Sequence, residues 1–88
     1  MGSAIADGVA MVTPRQIRAA RALLGWSQQE LADNAIVSVN AVIRLERGLV
    51  DSRVSTLTAV TKALTRAGVE FIPDGEKGEG VRLVDPQA

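Results

Sequence analysis

Apolar residues recur every three to four positions between residues 13 and 68, and this period predicts four amphipathic helices. Two of the helix starts carry capping boxes, in which Thr or Ser precedes Gln or Glu by three residues. Serines begin the other two helices, and glycines follow three of the helices. The expected caps and stops are, in chain order, Thr13, Gly25, Ser27, Ser38, Gly48, Ser55 and Gly68.

The same spacing predicts which side chains of each helix face a common core. The predicted inward positions are Ile17, Ala20 and Leu24 in the first helix, Leu31 and Ala32 in the second, Val42 and Leu45 in the third, and Leu57, Val60, Ala63 and Leu64 in the fourth. Trp26 follows the first glycine stop and is expected to join this core rather than to stack on a base.

After Gly68 the period changes from 3.6 to 2, which predicts a β-hairpin with strands at 69–72 and 81–84 and a polar loop between them. An isolated two-stranded ribbon is marginal in water, and its outer face here is not polar. We therefore expect the hairpin to cover the helices with the face that carries Val69, Phe71, Val81 and Leu83, and to pair with a second copy through its edge and outer face. The residues assigned to this dimer interface are Phe71, Ile72, Val81, Leu83 and Val84, of which Ile72 and Val84 are expected to point outward.

The second and third helices are short and separated by only three or four residues, so they are expected to cross steeply, as in a helix-turn-helix. The segments RxxLGWSQQELA at 21–32, VSVNAVIRLERG at 37–48 and STLTAVTKAL at 55–64 resemble the phage-repressor/Cro, or Xre-type, regulators. The resemblance implies a mainly α, lambda-repressor-like bundle of four to five helices at 13–68. An N-terminal extension at 1–12, opening with a Met-Gly-Ser typical of residues added for expression, precedes it, and the hairpin and tail at 69–88 follow.

One position departs from the family pattern. The family usually has a glycine in the turn between the second and third helices, where this chain has Ile36. A β-branched residue resists positive φ, so we expect the turn either to follow another backbone path or to tolerate strain.

The resemblance also implies a DNA-reading surface on the outer part of the third helix, at about 38–47. Val39, Asn40 and Arg44 match base-reading positions of the family, and Ile43 lies beside them. Asn suits a bidentate contact with adenine and Arg one with guanine, whereas Val and Ile suit the thymine methyl group. The alternative is an ordinary solvated helix face, although exposed apolar residues are unusual on such a face.

Four further residues are assigned to the DNA phosphates. Gln28 stands at the start of the second helix, where backbone N–H groups favour an anion, and Ser38 stands at the start of the third. Arg47 and Arg53 flank the end of the third helix and match phosphate-gripping positions of the family. Each could instead be an ordinary surface side chain.

Arg21 and Glu46 match positions that form an internal ion pair in the family. The resemblance therefore gives them a structural role, which is to hold the reading helix against the first helix. Such a pair need not add net stability.

The charge distribution fits DNA binding although the net charge is zero. Residues 13–66 carry eight cations against four anions, whereas residues 67–88 carry two cations against five anions. A protein with a basic helical body and an acidic tail is suited to binding DNA phosphates through one of its faces.

The composition excludes several other functions. With no Cys and no His, the chain cannot form disulfides, zinc fingers or His-based catalytic sites, and we expect no metal and no cofactor. The glycine-rich segment at 75–80 lacks the Lys-hydroxyl ending of a phosphate-binding loop, and the carboxylates of Glu76 and Glu79 lie in what we expect to be a mobile loop. No apolar run approaches the roughly 20 residues of a membrane span. We expect a cytoplasmic protein that is not an enzyme and has no membrane partner.

The sequence therefore favours a sequence-specific transcriptional regulator that binds double-stranded DNA as a homodimer. The alternative, from another functional class, is an antitoxin-like or other protein-binding module that uses the C-terminal hairpin to hold a protein partner, with DNA binding secondary.

Overall fold

A computed structural model describes residues 12–48 and 54–84. Within these ranges it contains four helices followed by a two-stranded antiparallel hairpin, which confirms the predicted fold class. The elements are α1 (Pro14–Leu24), α2 (Gln28–Ala35), α3 (Val39–Glu46), α4 (Val54–Arg66), β1 (Val69–Ile72) and β2 (Gly80–Leu83).

Both predicted capping boxes are present. The Thr13 hydroxyl accepts the Gln16 backbone N–H at 3.2 Å, and the Gln16 side-chain oxygen accepts the Thr13 N–H at 2.9 Å. Ser27 and Glu30 make the same reciprocal bonds at 3.0 and 2.7 Å. These bonds satisfy backbone donors that have no partner inside the helix, which fixes where α1 and α2 begin.

The predicted helix ends are confirmed, but one predicted start is wrong. Gly25 and Gly48 follow α1 and α3 with φ of 70° and 72°, which is the left-handed conformation that glycine adopts without a steric penalty. At α4, the helix already includes Val54, so Ser55 lies in its first turn and is not its N-cap. The residue that precedes Val54 belongs to the stretch 49–53, outside the described residues.

Each helix and the first strand contribute to one apolar core. Its fully buried large side chains are Ile17, Leu31, Val42, Val60, Leu64 and Val69. Leu24, Trp26 and Leu57 are partly buried and pack against this cluster, so Trp26 has the predicted core position. The apolar stripe of each short helix is therefore covered by its neighbours, which supplies most of the stability that such helices lack in isolation.

The hairpin lies against the helices, with β2 packed on α1 and β1 packed on α4. Val69 is buried, and Phe71 and Val81, which face each other in the register, pack against the core as predicted. Leu83 does not pack against the core, since it is 47% exposed. Its cross-strand partner Val69, which is 2% exposed, covers the core at this end of the hairpin.

Gln16 fastens the loop end of the hairpin to α1. Its side-chain amide donates to the backbone oxygens of Ile72 and Gly80, both at 2.8 Å, while its carbonyl oxygen accepts from Thr13. Gln16 is 2% exposed, and these three bonds account for its buried polar atoms. One residue thus caps α1 and docks the hairpin.

Glu79 has side-chain partners at the start of α1, which the sequence did not predict for a residue of this loop. Its carboxylate oxygen accepts a hydrogen bond from the Thr13 hydroxyl and one from Arg15 Nε, each at 2.9 Å. The Arg15 bond, with a smaller contribution from Thr13, holds the pKa of the Glu79 carboxyl below its ordinary value of 4.5. The carboxylate joins the end of the loop to the first turn of α1.

This lowered pKa predicts an acid-sensitive contact. The folded state binds the Glu79 proton less readily than the unfolded chain, so the stabilisation is fully present above pH 4.5 and is lost as the pH falls through the lower, folded-state pKa. We expect the melting temperature of Glu79→Gln to fall less than that of the wild type between pH 6 and pH 3. Glu76→Gln, in the same loop, is the matched control, and equal acid sensitivity in all three proteins would contradict the assignment.

The turn between α2 and α3 has the second of the two expected conformations, in which Ile36 adopts a strained, positive φ. Ile36 has φ 58° and ψ 50°, and it closes α2 in a Schellman arrangement in which its N–H bonds Asp33 O and the Val37 N–H bonds Ala32 O. Its side chain is 89% exposed, so burial does not repay the left-handed backbone of a β-branched residue. These two hydrogen bonds maintain the Schellman motif although the backbone of Ile36 is strained.

We therefore expect Ile36→Gly to stabilise the domain by about 0.5–1 kcal/mol, since relief of about 1–2 kcal/mol of strain exceeds the extra entropy of glycine in the unfolded chain. Ile36→Ala removes the exposed side chain but keeps Cβ, so it separates strain from hydrophobic exposure. Urea unfolding of the three proteins gives the comparison. A less stable glycine variant would show that the turn is not strained.

No helix in the described ranges is long and apolar enough to cross a membrane.

Candidate nucleic-acid interface

The two faces of α3 differ in exposure. Val42, Leu45 and Glu46 are buried against the rest of the domain. Of the predicted base-reading residues, Asn40 and Arg44 are exposed on the other side and Ile43 is partly buried, whereas Val39 is partly buried and packs against the apolar core. Asn40 and Arg44 are four residues apart and so stand one above the other on the helix. The structure therefore leaves Asn40 and Arg44 on one accessible helix face, with Ile43 beside them and Val39 at its edge.

Ser38 fixes the start of this helix. Its hydroxyl oxygen accepts the Ala41 N–H at 3.1 Å, and its backbone is extended. The side chain is exposed, and its O–H is still a donor because capping uses only the oxygen. Ser38 is thus placed to cap α3 and to face a ligand at the same time.

The other end of α3 is held by a buried carboxylate. Glu46 is 3% exposed, and its two oxygens accept Arg21 Nε at 2.8 Å and Arg21 Nη2 at 3.0 Å, a bidentate ion pair between α1 and α3. This hydrogen bonding raises the pKa of Arg21 above its ordinary value. Arg21 also donates to the backbone oxygen of Trp26 at 3.1 Å, which ties the α1–α2 connection to the same pair.

Gln28 belongs to this network. Its side-chain amide donates to the Glu46 carboxylate at 3.1 Å, so the residue assigned to a DNA phosphate also makes a contact within the domain. The carboxylate thereby receives three N–H donors, so that each oxygen of this buried charge has at least one partner. Gln28 joins the start of α2 to the end of α3.

Arg47 ends α3, with its backbone N–H bonded to the carbonyls of Ile43 and Arg44, and its side chain is exposed. It lines an open groove of about 540 Å³. The other residues around the groove are Arg18, Gln28, Ile43 and Glu46. Arg53, the remaining predicted phosphate contact, lies outside the described residues.

The predicted dimer residues divide into two groups. Phe71 and Val81 pack against the core of their own chain, so most of their apolar surface is already used. Ile72 is partly buried rather than fully outward, while Leu83 and Val84 are 47% and 40% exposed. The structure therefore leaves the end of β2, rather than the whole ribbon, as accessible apolar surface.

The sequence did not predict three long-range contacts, of which two dock the hairpin on α1 and one holds the end of α3. Gln16 was seen only as half of a capping box, Glu79 only as a loop carboxylate, and Arg18 only as one cation of the basic body. The Arg18 guanidinium Nη1 donates to the backbone oxygen of Glu46 at the end of α3. The capping box indicated the bond between Gln16 and Thr13, but nothing local indicates the burial of Gln16, its bonds to the hairpin or the other two contacts.

A capped helix pair packed in a small helical bundle, with the second helix of the pair exposed along a face of amide, guanidinium and apolar groups, defines a helix-turn-helix DNA-binding domain. The Xre-type family model described as Helix-turn-helix matches residues 17–70, which is more than half of the chain. The chain belongs to this family, and it is a DNA-binding helix-turn-helix regulator domain that acts on double-stranded DNA. No curated protein matches the sequence.

Proposed function

We propose that this protein is a sequence-specific transcriptional regulator that places α3 in the major groove of DNA and binds as a dimer. The observation that carries the proposal is the accessible face of α3, on which Asn40 and Arg44 are exposed and Val39 and Ile43 are partly buried, opposite the buried Val42 and Leu45. An α-helix fits the B-DNA major groove, and these side chains have the donors, acceptors and methyl groups that distinguish base pairs.

The proposed division of labour follows the chemistry of each side chain. Asn40 reads adenine and Arg44 reads guanine, while Val39 and Ile43 contact thymine methyl groups. Gln28, Ser38, Arg47 and Arg53 contact the phosphates and set the register without selecting a sequence. Three of these phosphate residues lie at an end of α2 or α3, which suits contacts that flank a reading helix.

Selection of bound DNA from a random double-stranded library tests the proposal most directly. We expect an enriched motif with two inverted half-sites whose centres lie about one helical turn, or a multiple, apart. An enriched motif without inverted repetition would retain the base-reading role but reject the two-fold dimer. Recovery of no motif, with weak binding to every sequence, would reject sequence-specific reading.

We propose that residues 13–68 bind DNA and that the C-terminal segment at 69–88 joins two copies through the end of β2. Leu83 and Val84 are exposed there, next to a strand edge. Sedimentation of the wild type at micromolar concentration, compared with Leu83→Ser/Val84→Ser, tests this role. Leu23→Ser is the matched control, since Leu23 is 44% exposed on α1. A wild-type monomer would reject the interface.

The same exposed pair supports a second candidate, a protein-binding module whose hairpin holds a different protein. In that case the wild-type chain sediments as a monomer, and an untagged partner co-purifies from the native host with the wild type but not with the Leu83→Ser/Val84→Ser variant. Dimeric sedimentation with no such partner would favour the regulator.

A further inference from the structure

We propose that Arg18 is a DNA-backbone contact that is held in position by α3 itself, and that it forms a phosphate seat together with Arg47 and Gln28. The three side chains line one open groove beside the end of α3. This inference rests on the proposed placement of α3 in the major groove, because that placement brings the phosphates next to the groove.

The groove carries uncompensated positive charge although a carboxylate lines it. Glu46 is 3% exposed, and both of its oxygens are taken up by Arg21 and Gln28. The negative charge is therefore neutralised from within the domain. Arg18 and Arg47 are exposed at the same groove. Among the described residues that line the groove, an anion meets two guanidinium groups and no carboxylate without a partner.

The Arg18 side chain is already oriented. Its Nη1 donates to the backbone oxygen of Glu46, one of the last carbonyls of α3 that lack a partner inside the helix. A guanidinium has five N–H donors, and within the described part of the chain this bond uses one of them. The planar fork is thus anchored on one side and offers its other donors to an oxyanion, the bidentate geometry that phosphate prefers.

The contact would also couple the phosphate to the reading helix. Because Arg18 binds the main chain of Glu46, an anion bound to Arg18 is fixed relative to α3 without intervening loop. Because every DNA sequence has the same phosphates, Arg18 contributes equally to the binding of all sequences. Its contact sets the position of α3 relative to the bases.

The experiment compares Arg18→Gln with the wild type on selected and on random DNA over a range of salt concentrations. Glutamine keeps an N–H donor for the Glu46 carbonyl but removes the charge. We expect the slope of log affinity against log salt to fall by about 0.9, equivalent to a loss of about eight-fold in affinity at 0.1 M salt, on both DNAs. Arg18→Lys keeps the charge and should keep the slope.

Arg66→Ala is the matched control, because it removes an exposed arginine of α4 that does not line the groove. An unchanged slope in Arg18→Gln, or an equal fall in Arg66→Ala, overturns the seat. If the wild type itself shows no preference for any sequence, the proposed base reading fails, while the slope comparison on random DNA still decides the role of Arg18.

A second measurement uses the wild type alone and does not depend on whether a variant folds. Titration with inorganic phosphate, followed by the NMR signals of the arginine Nε–H groups, should shift Arg18 and leave Arg66 in place. Absence of any shift at Arg18, or equal shifts at both residues, would show that the groove does not bind phosphate.

Discussion

Replacement of Glu46 by alanine is expected to lower the free energy of unfolding by about 3 kcal/mol, a large effect for a single substitution. The substitution leaves the Arg21 guanidinium, whose side chain is 24% exposed, without its bidentate acceptor and leaves the Gln28 amide without its partner. Loss of one member of a buried pair costs about 3–5 kcal/mol. The lower end applies here because Arg21 keeps its bond to the Trp26 carbonyl and some contact with water.

An exposed pair of the same chemistry provides the control. Arg82 and Glu70 face each other across the hairpin at 3.0 Å, with side chains 59% and 52% exposed. Glu70→Ala is expected to cost less than about 1 kcal/mol, because water screens such pairs. Thermal and urea unfolding of both variants decides the matter. If Glu46→Ala and Glu70→Ala are equally stable, the buried pair does not hold α1 against α3.

The double variant isolates the interaction itself. Arg21→Ala/Glu46→Ala removes both charges, so it is expected to be less destabilised than the sum of the two single variants. A purely additive result would mean that Arg21 and Glu46 act independently. A domain of this size has only about 5–15 kcal/mol of stability in total, so either single variant should shift the melting temperature measurably.

Asn40 and Arg44 should control which DNA the protein selects. Asn40→Ala is expected to lose about 1–3 kcal/mol of discrimination at a single base pair, and Arg44→Ala the same at another, because each removes one bidentate base contact. Affinity for random DNA should change little in Asn40→Ala. Competition binding against a panel of single-base variants of the selected site measures both effects.

Two comparisons make this prediction specific. Arg44→Lys keeps the charge but not the planar fork, so it should lose discrimination while keeping the salt dependence. Arg47→Ala and Gln28→Ala should instead weaken binding to every sequence equally, although Gln28→Ala also disturbs Glu46. Identical behaviour of these variants on selected and random DNA would contradict the division into base and phosphate contacts.

The net charge of the chain is zero, and the structure shows which contacts several of its carboxylates make. Within the described ranges, Glu30 is used as a cap, Glu46 by Arg21, Glu70 by Arg82 and Glu79 by Arg15. Three of these carboxylates pair with an arginine of the same chain, so each pair is close to neutral and adds little to the field that a DNA phosphate meets.

The sequence by itself determined the local structure of this protein. The capping boxes at Thr13 and Ser27 and the glycine stops at Gly25 and Gly48 depend on hydrogen bonds and dihedral angles within a few residues, and such features are legible in a linear pattern. The change of period after Gly68 likewise predicted the hairpin, and the motifs at 21–32, 37–48 and 55–64 indicated the family.

Only the tertiary structure decided how these elements share their polar groups. Gln16 bonds atoms 56 and 64 residues away, Thr13 reaches Glu79 across 66 residues, and Arg18 reaches Glu46 across 28. The expected inward position of Leu83 was wrong, and the contacts of Glu79 with Thr13 and Arg15 were not expected, because the docking of the hairpin on α1 and α4 decides both. Periodicity tells which face of an element is apolar, but only packing determines which neighbour covers that face and which buried donors find acceptors there.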